Sequence, residues 1–568
     1  MRYGFAIVTV WILAGVGAVH SHAADRPSGR GFSMRSPTIA THGMVASAHP
    51  LASRIGVEIL EAGGTAVDAA IAVNAALGLM EPTACGVGGD LFAIVWDAKE
   101  KRLVGLNASG RAGSAITLAE LRAKGLETMP QLGGLPVTVP GTVDGWFALH
   151  GRFGKLPMSK ILAPAIRYAR EGQPVPPIIA YYWSRAPQRF KDFPAWLQVY
   201  APDGKAPSAG DVFRNPDLAR TYERIAAGGR NAFYRGEISQ RIVEAVTKHG
   251  GALTRQDLAD HQSTWVEPLA ATYRGYSLWE LPPNTQGIAA LQMLNMLEPY
   301  DLKAMGHNTA ETLHLMVEVK KIVFEDRARY YADPDFVQMP LEQLLSKTYA
   351  RQRSTLFDPA RAKQSVAAGD LPLRAGDTTY FTVVDSERNI VSLIQSNYRG
   401  FGSGVVPEGT GFCLQDRGEM FSLDPAHPNA YEPRKRPFHT IVPAMVTHDG
   451  KPVFSFGVMG GDMQPQGHVQ ILCNIIDFGM DVQEAGDAAR FYHTGSSEPT
   501  GEHMEDGGIL HLESGVSAEV VRDLVLKGHR VVENVGGYGG YQGIWIDHER
   551  GVLLGATESR KDGIALGY

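Results

Sequence analysis

The chain is poor in cysteine and has no strong excess of either charge. Its 568 residues include only three cysteines, at positions 85, 413 and 473, and no C-x-x-C pair, so the sequence predicts neither a zinc finger nor a redox pair. Cys85, Cys413 and Cys473 are expected to be buried thiols. With 54 basic against 60 acidic residues and no basic run, nucleic acid is not an expected partner.

Several common catalytic motifs are also missing. The sequence contains no G-x-S-x-G elbow, H-E-x-x-H helix or Walker loop, which excludes the commonest hydrolase, metalloprotease and nucleotide-binding interpretations. The glycine-rich stretch at 85–90 precedes a strand-like segment at 91–96, whereas a phosphate loop follows a strand and precedes a helix. Nothing in the sequence therefore indicates a metal ion or a cofactor.

The first residues are typical of an export signal. Arg2 precedes an apolar run at 5–19, and Ser21 and Ala23 are small residues at the two positions that a signal peptidase inspects. The run is shorter than the roughly 20 residues of a membrane-spanning helix. We predict a signal peptide at 1–23 and a secreted or periplasmic protein without membrane contact after its removal. The alternative is an uncleaved anchor.

Periodicity indicates a mixture of helices and hairpin strands. Helical spacing at 50–60 ends at a glycine pair, and Thr65 is a plausible N-cap for a second helix reaching Leu79. Breaker residues crowd 369–377, after which two strands at 379–384 and 390–396 form a predicted hairpin. Helical spacing returns at 468–478, and short strands near 543–546 and 552–554 end the chain. This alternation predicts an α+β fold.

Asp377-Thr378-Thr379 is the segment with the clearest catalytic potential. If the bond before Thr378 is cut, the new α-amine lies beside its own hydroxyl and, with a pKa of about 7.7–8.0, can act as its base. The same hydroxyl can make the cut by attacking the Asp377 carbonyl. From the residues alone, the alternative is an ordinary threonine that opens a strand.

Segments dispersed along the chain carry a resemblance to a known family. They are GMVA at 43–46, HPLA at 49–52, GGTAVDAA at 63–70, EP at 81–82, VPGTV at 139–143, LAPAI at 162–166, DTT at 377–379, FGSG at 401–404, KRP at 435–437 and GG at 460–461. In this order they resemble the γ-glutamyltranspeptidase family of N-terminal-nucleophile hydrolases. Many matches in one order are more specific than any single motif.

The resemblance implies both a fold and a processing event. The family fold is a four-layer αββα sandwich. Members of the family are made as one precursor that is cut before a threonine, which in this sequence would be between Asp377 and Thr378. A large subunit at 24–377 and a small subunit at 378–568 would then remain together as one catalytic unit. Thr378 would attack an amide carbonyl, form an acyl-enzyme and pass the acyl group to water or to an amine.

The resemblance also assigns roles to three further residues. The backbone N–H groups of Gly460 and Gly461 would form the oxyanion hole, the usual largest electrostatic contribution to acyl transfer. The alternative is an ordinary tight turn. Ser396 matches the position whose hydroxyl orients the nucleophile, and the alternative is a serine that merely occupies a strand face.

The acyl pocket departs from the family pattern. The family aspartate that holds the substrate α-amino group falls on Met420. Neighbouring Glu419 is not expected to replace it, because adjacent side chains on an extended segment point to opposite faces. Arg417 stands at a position usually filled by a neutral amide, and a guanidinium recognises carboxylates in a bidentate fashion.

Four more positions are predicted to bind substrate. Tyr398 falls where transpeptidases have an asparagine, and His439-Thr440 replaces the family's paired serines. Thr440 keeps a hydroxyl, whereas His439 either binds substrate polar groups or is a satisfied core histidine. Arg111 is the candidate for the arginine that clamps the substrate carboxylate, although its spacing differs from the family pattern.

Three functional hypotheses follow. The first is a γ-glutamyl hydrolase or transferase acting on glutathione and related compounds. The second is the same chemistry on another carboxylate-bearing amide, oxamate-like or glutaryl-like, because the departures resemble the branch that contains oxamate amidohydrolase and cephalosporin-acylase-like members. The third is an uncleaved, non-catalytic binding relative. The expected partners are a small-molecule amide and the two subunits from one precursor, with no cofactor.

Overall fold

The structure is a computed structural model that describes residues 29–366, 377–533 and 536–568. The predicted signal peptide at 1–23 and nearly all of the breaker-rich segment before Asp377 lie outside the described residues. For Asp377 only the backbone is described.

The described strands and helices alternate along the chain. The strands are β1 (Thr38–Ala40), β2 (Met44–Ser47), β3 (Asp90–Asp97), β4 (Arg102–Ala108), β5 (Gln173–Pro174), β6 (Val212–Phe213), β7 (Thr264–Val266), β8 (Leu269–Tyr273), β9 (Tyr276–Glu280), β10 (Asp377–Val384), β11 (Ile390–Tyr398), β12 (Ala444–His448), β13 (Lys451–Val458), β14 (Phe491–Thr494), β15 (Ile509–Leu512), β16 (Val531–Glu533), β17 (Tyr541–Asp547), β18 (Val552–Thr557) and β19 (Ile564–Gly567).

The helices occupy mainly the segments before β10 and after β13. They are α1 (Pro50–Glu61), α2 (Ala66–Met80), α3 (Leu118–Ala123), α4 (Thr142–Phe153), α5 (Met158–Glu171), α6 (Pro177–Trp183), α7 (Ala186–Arg189), α8 (Pro194–Tyr200), α9 (Pro216–Tyr234), α10 (Glu237–Lys248), α11 (Arg255–Asp260), α12 (Gly287–Leu297), α13 (Leu302–Met305), α14 (Ala310–Tyr330), α15 (Leu341–Leu344), α16 (Lys347–Ser354), α17 (Met463–Ile476), α18 (Val482–Asp487) and α19 (Ala518–Leu526). A short 3₁₀ turn covers Arg417–Met420.

Two seven-stranded antiparallel sheets form the centre of the molecule. Sheet I has the order β1-β18-β17-β13-β12-β9-β8, and sheet II has the order β19-β2-β10-β11-β3-β4-β7. Each sheet mixes strands from before and after position 378. In sheet II, β10 pairs with β11 on one side and with β2 on the other.

Alternation along the strands explains why the sheets stack and why helices cover them. On one face of β10 and β11, Tyr380 and Ile394 pack between the sheets with residues of sheet I. On the opposite face, Phe381 and Leu393 join a core built with helices that include α1, α2, α4 and α5. Helices α12, α17 and α18 cover the outer face of sheet I, and α14 packs on α12. The result is the predicted αββα sandwich.

The predicted elements around the site are confirmed. Thr65 caps α2 in a capping box with Asp68, and the predicted hairpin corresponds to β10 and β11. All three cysteines are buried, and none of the three forms a disulfide. Within the three described ranges, none of the helices combines the length and apolarity that crossing a bilayer requires.

Candidate active site

Thr378 lies at the start of β10, fully buried between elements of both sheets. Its Oγ1 donates a long hydrogen bond of 3.5 Å to Ser396 Oγ on β11. The same oxygen accepts a hydrogen bond of 3.3 Å from Gln464 Nε2 in the first turn of α17. Two of the three contacting residues, Thr378 and Ser396, were predicted from the sequence, and the structure brings them together.

Thr379 points away from this site, as alternation along a strand requires. Its hydroxyl donates to Glu81 Oε2 at 2.6 Å, and Glu81 Oε1 accepts from Lys561 Nζ at 3.4 Å. The pairing of β10 with β11 is irregular between Asp377 and Thr379, where the register shifts. The strand therefore changes geometry at the predicted cleavage position.

Ser396 is held by two N–H donors. The backbone N–H of Tyr398 donates to Ser396 Oγ at 2.7 Å, and Arg417 Nη2 donates to it at 3.2 Å. Both N–H groups bind the same Oγ that contacts the Thr378 hydroxyl. The Ser396 side chain is thus oriented by its own strand and by the adjacent pocket rather than packed as a passive strand residue.

Gly460 and Gly461 connect β13 to α17 beside Thr378. Both have positive φ, 115° and 59°, which side chains rarely tolerate, so glycine is required sterically. The Gly460 carbonyl accepts from Met463 N at 3.1 Å. Because the peptide unit is planar and trans, the N–H of Gly461 then points away from α17. The α17 N-terminus also favours negative charge nearby.

Gln464 is a site residue that sequence reasoning missed. Its Oε1 accepts from the Val442 backbone N–H at 2.9 Å, which directs Nε2 toward Thr378. The side chain is fully buried. The sequence did contain one indication of its role, because Gln464 follows the predicted oxyanion glycines by three residues. A helix that begins at that point brings the side chains of its first turn close to the predicted active site.

A buried network supports the glycine loop from the large half of the chain. Gln286 Nε2 donates to the carbonyl oxygens of Gly461 at 2.9 Å and Thr440 at 2.7 Å. Arg327 Nη1 donates to Gln286 Oε1 at 2.6 Å and to Asp462 Oδ1 at 2.7 Å, and its Nη2 pairs with Glu498 at 2.6 Å. Sequence reasoning missed these residues because their partners are distant in the chain.

Arg417 is completely buried, which the sequence did not indicate. It donates to Thr440 Oγ1 at 2.9 Å and to Ser396 Oγ at 3.2 Å, and it lies 4.1 Å above the centre of the Tyr398 ring. Burial lowers the pKa of Arg417 to about 10, so it stays cationic at neutral pH. Its buried Nε has no hydrogen-bond partner among the described residues.

Tyr398 lies opposite the predicted cleavage residue. Its Cα is the register partner of Asp377, and its φ of 77° is unusual for a residue with a side chain. The fully buried ring carries the Arg417 guanidinium on its face. Tyr398 thus fixes both Ser396, through its N–H, and Arg417, through its ring.

The expectation of an extended segment at Met420 is wrong. Arg417–Met420 forms a 3₁₀ turn, because Gly418 N and Phe421 N bond to Pro136 O and Gly418 O. Glu419 is nevertheless not a free substitute for the missing aspartate. Its carboxylate is bound by Arg399 through Nε at 2.6 Å and Nη2 at 2.7 Å.

His439 and Arg111 have protein partners in the structure. His439 Nε2 lies 3.0 Å from Asp90 Oδ2, both side chains fully buried. Burial and the charge of Arg417 hold the pKa of His439 well below its usual value, and burial raises the pKa of Asp90 to about 7. The partly exposed Arg111 donates to Asp335 Oδ2 at 3.0 Å.

A cavity of about 300 Å³ opens beside Gly460. Its lining includes the cationic side chains of Arg189, Arg399 and Lys561 and the ring of Tyr492. Two of these cations are already paired with carboxylates, Arg399 with Glu419 and Lys561 with Glu81. The site as a whole offers a hydroxyl, oriented N–H donors and buried cations, which suits attack on the carbonyl of an acidic amide.

Comparisons with known proteins identify the family of the chain. The profile of the Gamma-glutamyltranspeptidase family matches residues 52–568. A Bacillus subtilis (strain 168) protein named glutathione hydrolase-like YwrD proenzyme is 38% identical over 539 residues, covering 94% of this chain and 100% of that protein. The oxamate amidohydrolase proenzyme of Klebsiella pneumoniae is 34% identical over 545 residues, with 94% and 100% coverage.

Solved structures give the same result. The cephalosporin acylase of Bacillus halodurans superposes with a TM-score of 0.87 at 42% identity, covering 96% of this chain and 99% of that one. The αββα fold is therefore that of an N-terminal-nucleophile hydrolase. The chain belongs to the gamma-glutamyltranspeptidase family of hydrolases and acylases.

Proposed function

We propose that the chain is a self-processing, threonine-dependent amidohydrolase whose nucleophile is Thr378. The observation that carries this proposal is the buried Thr378 hydroxyl, which contacts Ser396 Oγ and Gln464 Nε2 beside the Gly460–Gly461 loop. The proposed nucleophile thus contacts two polar groups, and one of them, Gln464, follows the candidate oxyanion loop by three residues, which supports acyl transfer at Thr378. The names of the relatives, which include the word proenzyme, also support a precursor.

Self-processing would begin with Thr378 Oγ1. It attacks the Asp377 carbonyl carbon, the hydroxyl proton passes to the departing amide nitrogen, and the C–N bond breaks to leave an ester. Cleavage of the C–N bond frees the α-amine of Thr378. Water then hydrolyses the ester, which restores the Thr378 hydroxyl and leaves Asp377 with a new carboxylate. The products are a large piece at 24–377, after signal removal, and a small piece at 378–568.

Turnover would repeat the same chemistry on a substrate. The free amine accepts the hydroxyl proton as Oγ1 attacks the substrate amide carbonyl. The N–H groups of Gly460 and Gly461 stabilise the oxyanion, and the amine leaving group takes the proton as the acyl-enzyme forms. Water then releases the acid. An amine in place of water gives transfer instead of hydrolysis.

The pocket favours an acyl group that bears a carboxylate and lacks an ammonium. Met420 is apolar and buried, and Glu419 is already bound by Arg399, so neither offers a carboxylate for an α-amino group. Arg417 is a buried cation with an unsatisfied Nε. We therefore place oxamate-like or glutaryl-like amides first. The Klebsiella relative's name, oxamate amidohydrolase, agrees with this order.

A γ-glutamyl donor such as glutathione is the second candidate. The B. subtilis relative carries the name glutathione hydrolase-like. Losing the ammonium anchor costs about 2–5 kcal/mol of donor binding where nothing compensates. We therefore expect γ-glutamyl compounds to be turned over less efficiently than the matching acyl group without the amine. Arg111, Tyr398, Thr440 and His439 remain the proposed substrate-binding residues.

Denaturing electrophoresis and N-terminal sequencing test the processing step. Scaling 61.5 kDa by length, the mature protein should give bands of about 38 and 21 kDa, with the light band beginning at Thr378. Thr378→Ala should give one band and no turnover, whereas Thr378→Ser should retain both the self-processing and the turnover of substrate. An active wild-type protein with a single band would overturn the mechanism and favour an uncut relative.

A donor panel tests the substrate class. γ-Glutamyl anilide and glutaryl anilide differ only by the α-amino group, and oxamate tests the smallest acid amide. We expect a higher kcat/KM for glutaryl anilide than for γ-glutamyl anilide. The opposite ranking would refute the role assigned to Met420 and Arg417 while leaving the Thr378 mechanism intact.

A further inference from the structure

We propose that His314, Glu318 and His529 form a binding site for one divalent late-transition-metal ion, with Zn²⁺ as the best match. One ligand atom of each residue lies within 4.8 Å of the other two, and all three residues are buried. Two imidazole nitrogens and one carboxylate oxygen are a donor set that Zn²⁺ accepts, with a water molecule as fourth ligand. No such site was expected from the sequence.

The two sides of the cluster come from helices that pack against each other. His314 and Glu318 are one turn apart on α14 and therefore share a face. His529 follows the end of α19, which packs on α14. Its Nε2 lies 2.8 Å from Nδ1 of His314 although the residues are 215 positions apart in the chain. That separation explains why sequence spacing did not reveal the cluster.

Neighbouring groups already orient two of the three ligands. His314 Nε2 lies 2.8 Å from the Asp358 carbonyl oxygen, which can only accept a hydrogen bond, so this nitrogen carries the proton and Nδ1 presents its lone pair. A backbone carbonyl on the second ring nitrogen is typical of metal-bound histidines. Glu318 Oε2 accepts from the Lys363 backbone N–H at 3.1 Å.

Binding requires two small adjustments. Two ligands at about 2.0–2.1 Å from a tetrahedral Zn²⁺ lie about 3.3 Å apart, so the rings must separate by roughly half an ångström from their present 2.8 Å. His529 must also move its proton from Nε2 to Nδ1. The ion must further compete with Lys321 Nζ, which lies 2.8 Å from Glu318 Oε1.

The site would join the two pieces of the processed protein. His314 and Glu318 precede the proposed cut and His529 follows it, so this consequence rests on the proposed function. Ion binding itself does not, because the uncut chain already brings the three residues together. Thr378→Ala should therefore bind the ion as wild type does, and a failure of processing can be told apart from a failure of the site.

Metal analysis of untagged, chelator-dialysed protein tests the proposal. We expect one equivalent of Zn²⁺ per chain, a rise in Tm with added Zn²⁺, and visible absorption of tetrahedral Co²⁺ in its place. His529→Gln and His314→Gln should weaken binding on the order of 100-fold or more. His448→Gln, a change at a histidine on β12 outside the cluster, is the matched control and should bind normally.

Lys321→Met keeps all three ligands and removes the competing ammonium. We expect it to bind Zn²⁺ more tightly and to show a larger Zn²⁺-induced rise in Tm than wild type. Retention of the fold is checked by circular dichroism for each variant. Absence of stoichiometric binding, unchanged binding in His529→Gln, or weaker binding in Lys321→Met would each overturn the site.

Discussion

Arg417 donates a hydrogen bond to Ser396 Oγ at 3.2 Å, and the same oxygen contacts the hydroxyl of Thr378 at 3.5 Å. Arg417, which we propose selects the acyl group, is therefore one hydrogen bond away from Ser396, which we propose positions the nucleophile. Under the proposed function, substrate recognition and nucleophile orientation would be coupled through Ser396. A carboxylate bound by Arg417 would reorganise the donors that hold the serine.

Arg417→Lys tests this coupling. Lysine is a point charge that cannot bridge Ser396 and Thr440 as the planar guanidinium does. We expect kcat/KM for glutaryl anilide to fall by about 30-fold, equivalent to roughly 2 kcal/mol. For an anilide with a neutral acyl group of the same length, we expect a smaller decrease in kcat/KM. Steady-state kinetics on both donors decides, and an equal loss would contradict recognition of the carboxylate by Arg417.

Gln464→Leu tests the contact to the nucleophile. The substitution removes the N–H donor to Thr378 Oγ1, and one such hydrogen bond contributes about 0.5–1.5 kcal/mol. We expect self-processing and kcat each to slow by about 2–10-fold with KM little changed. The rate of appearance of the light band and single-turnover kinetics measure the effect. Gln256→Leu, on the exposed side of α11, should match wild type. Identical rates in both variants would remove Gln464 from the site.

Arg327→Met tests the buried network behind the glycine loop. The change leaves the carboxylates of Asp462 and Glu498 buried without their cation, which costs about 3–5 kcal/mol. Burial already raises the pKa of Glu498 well above its usual value. Because the folded variant then holds protons that the unfolded chain releases, its stability should fall as pH rises from 5 to 8. Thermal unfolding against pH measures this. A Tm equal to that of wild type across the range would contradict it.

Asp90→Asn tests the pH dependence of the wild-type protein. Burial raises the pKa of Asp90 to about 7, against about 3.9 in an unfolded chain. Between these values the folded chain binds a proton that the unfolded chain lacks. The contribution of Asp90 to stability is therefore fully present below about pH 4 and decreases up to about pH 7, by on the order of 4 kcal/mol. Tm measured from pH 5 to 8 should slope less in the variant. An unchanged slope would show that Asp90 does not titrate there.

Local rules predicted the elements that carry the nucleophile. The Thr65 cap, the hairpin of β10 and β11 and the placement of Ser396 near Thr378 follow from capping, alternation and resemblance, and all are present in the structure. The extended conformation expected at Glu419 failed because distant backbone at Pro136 binds Gly418 and supports a turn. A tertiary contact of this kind has no signal in the neighbouring residues.

The residues that support the glycine loop could not be predicted from the sequence either, because their contacts are also tertiary. Gln286 and Arg327 act on Gly461 and Asp462 through contacts that span 135 to 175 positions. Their types are common, and their spacing matches no catalytic motif. The burial of Arg417 is a further example, since a charged residue is usually exposed and only its partners Ser396, Thr440 and Tyr398 account for its position.

Both sheets combine strands from before and after position 378. This arrangement determines whether the two fragments can separate after the proposed cleavage. In sheet II, β10 and β11 lie between β2 and β3, and β19 pairs with the other edge of β2. In sheet I, β18 pairs with β1 and β12 pairs with β9. Release of the proposed light fragment would therefore break five strand pairings. Two isotopically distinct batches that are mixed after the proposed cleavage should therefore not exchange fragments. No hybrid heterodimers should form, because each molecule retains the two fragments of its own precursor.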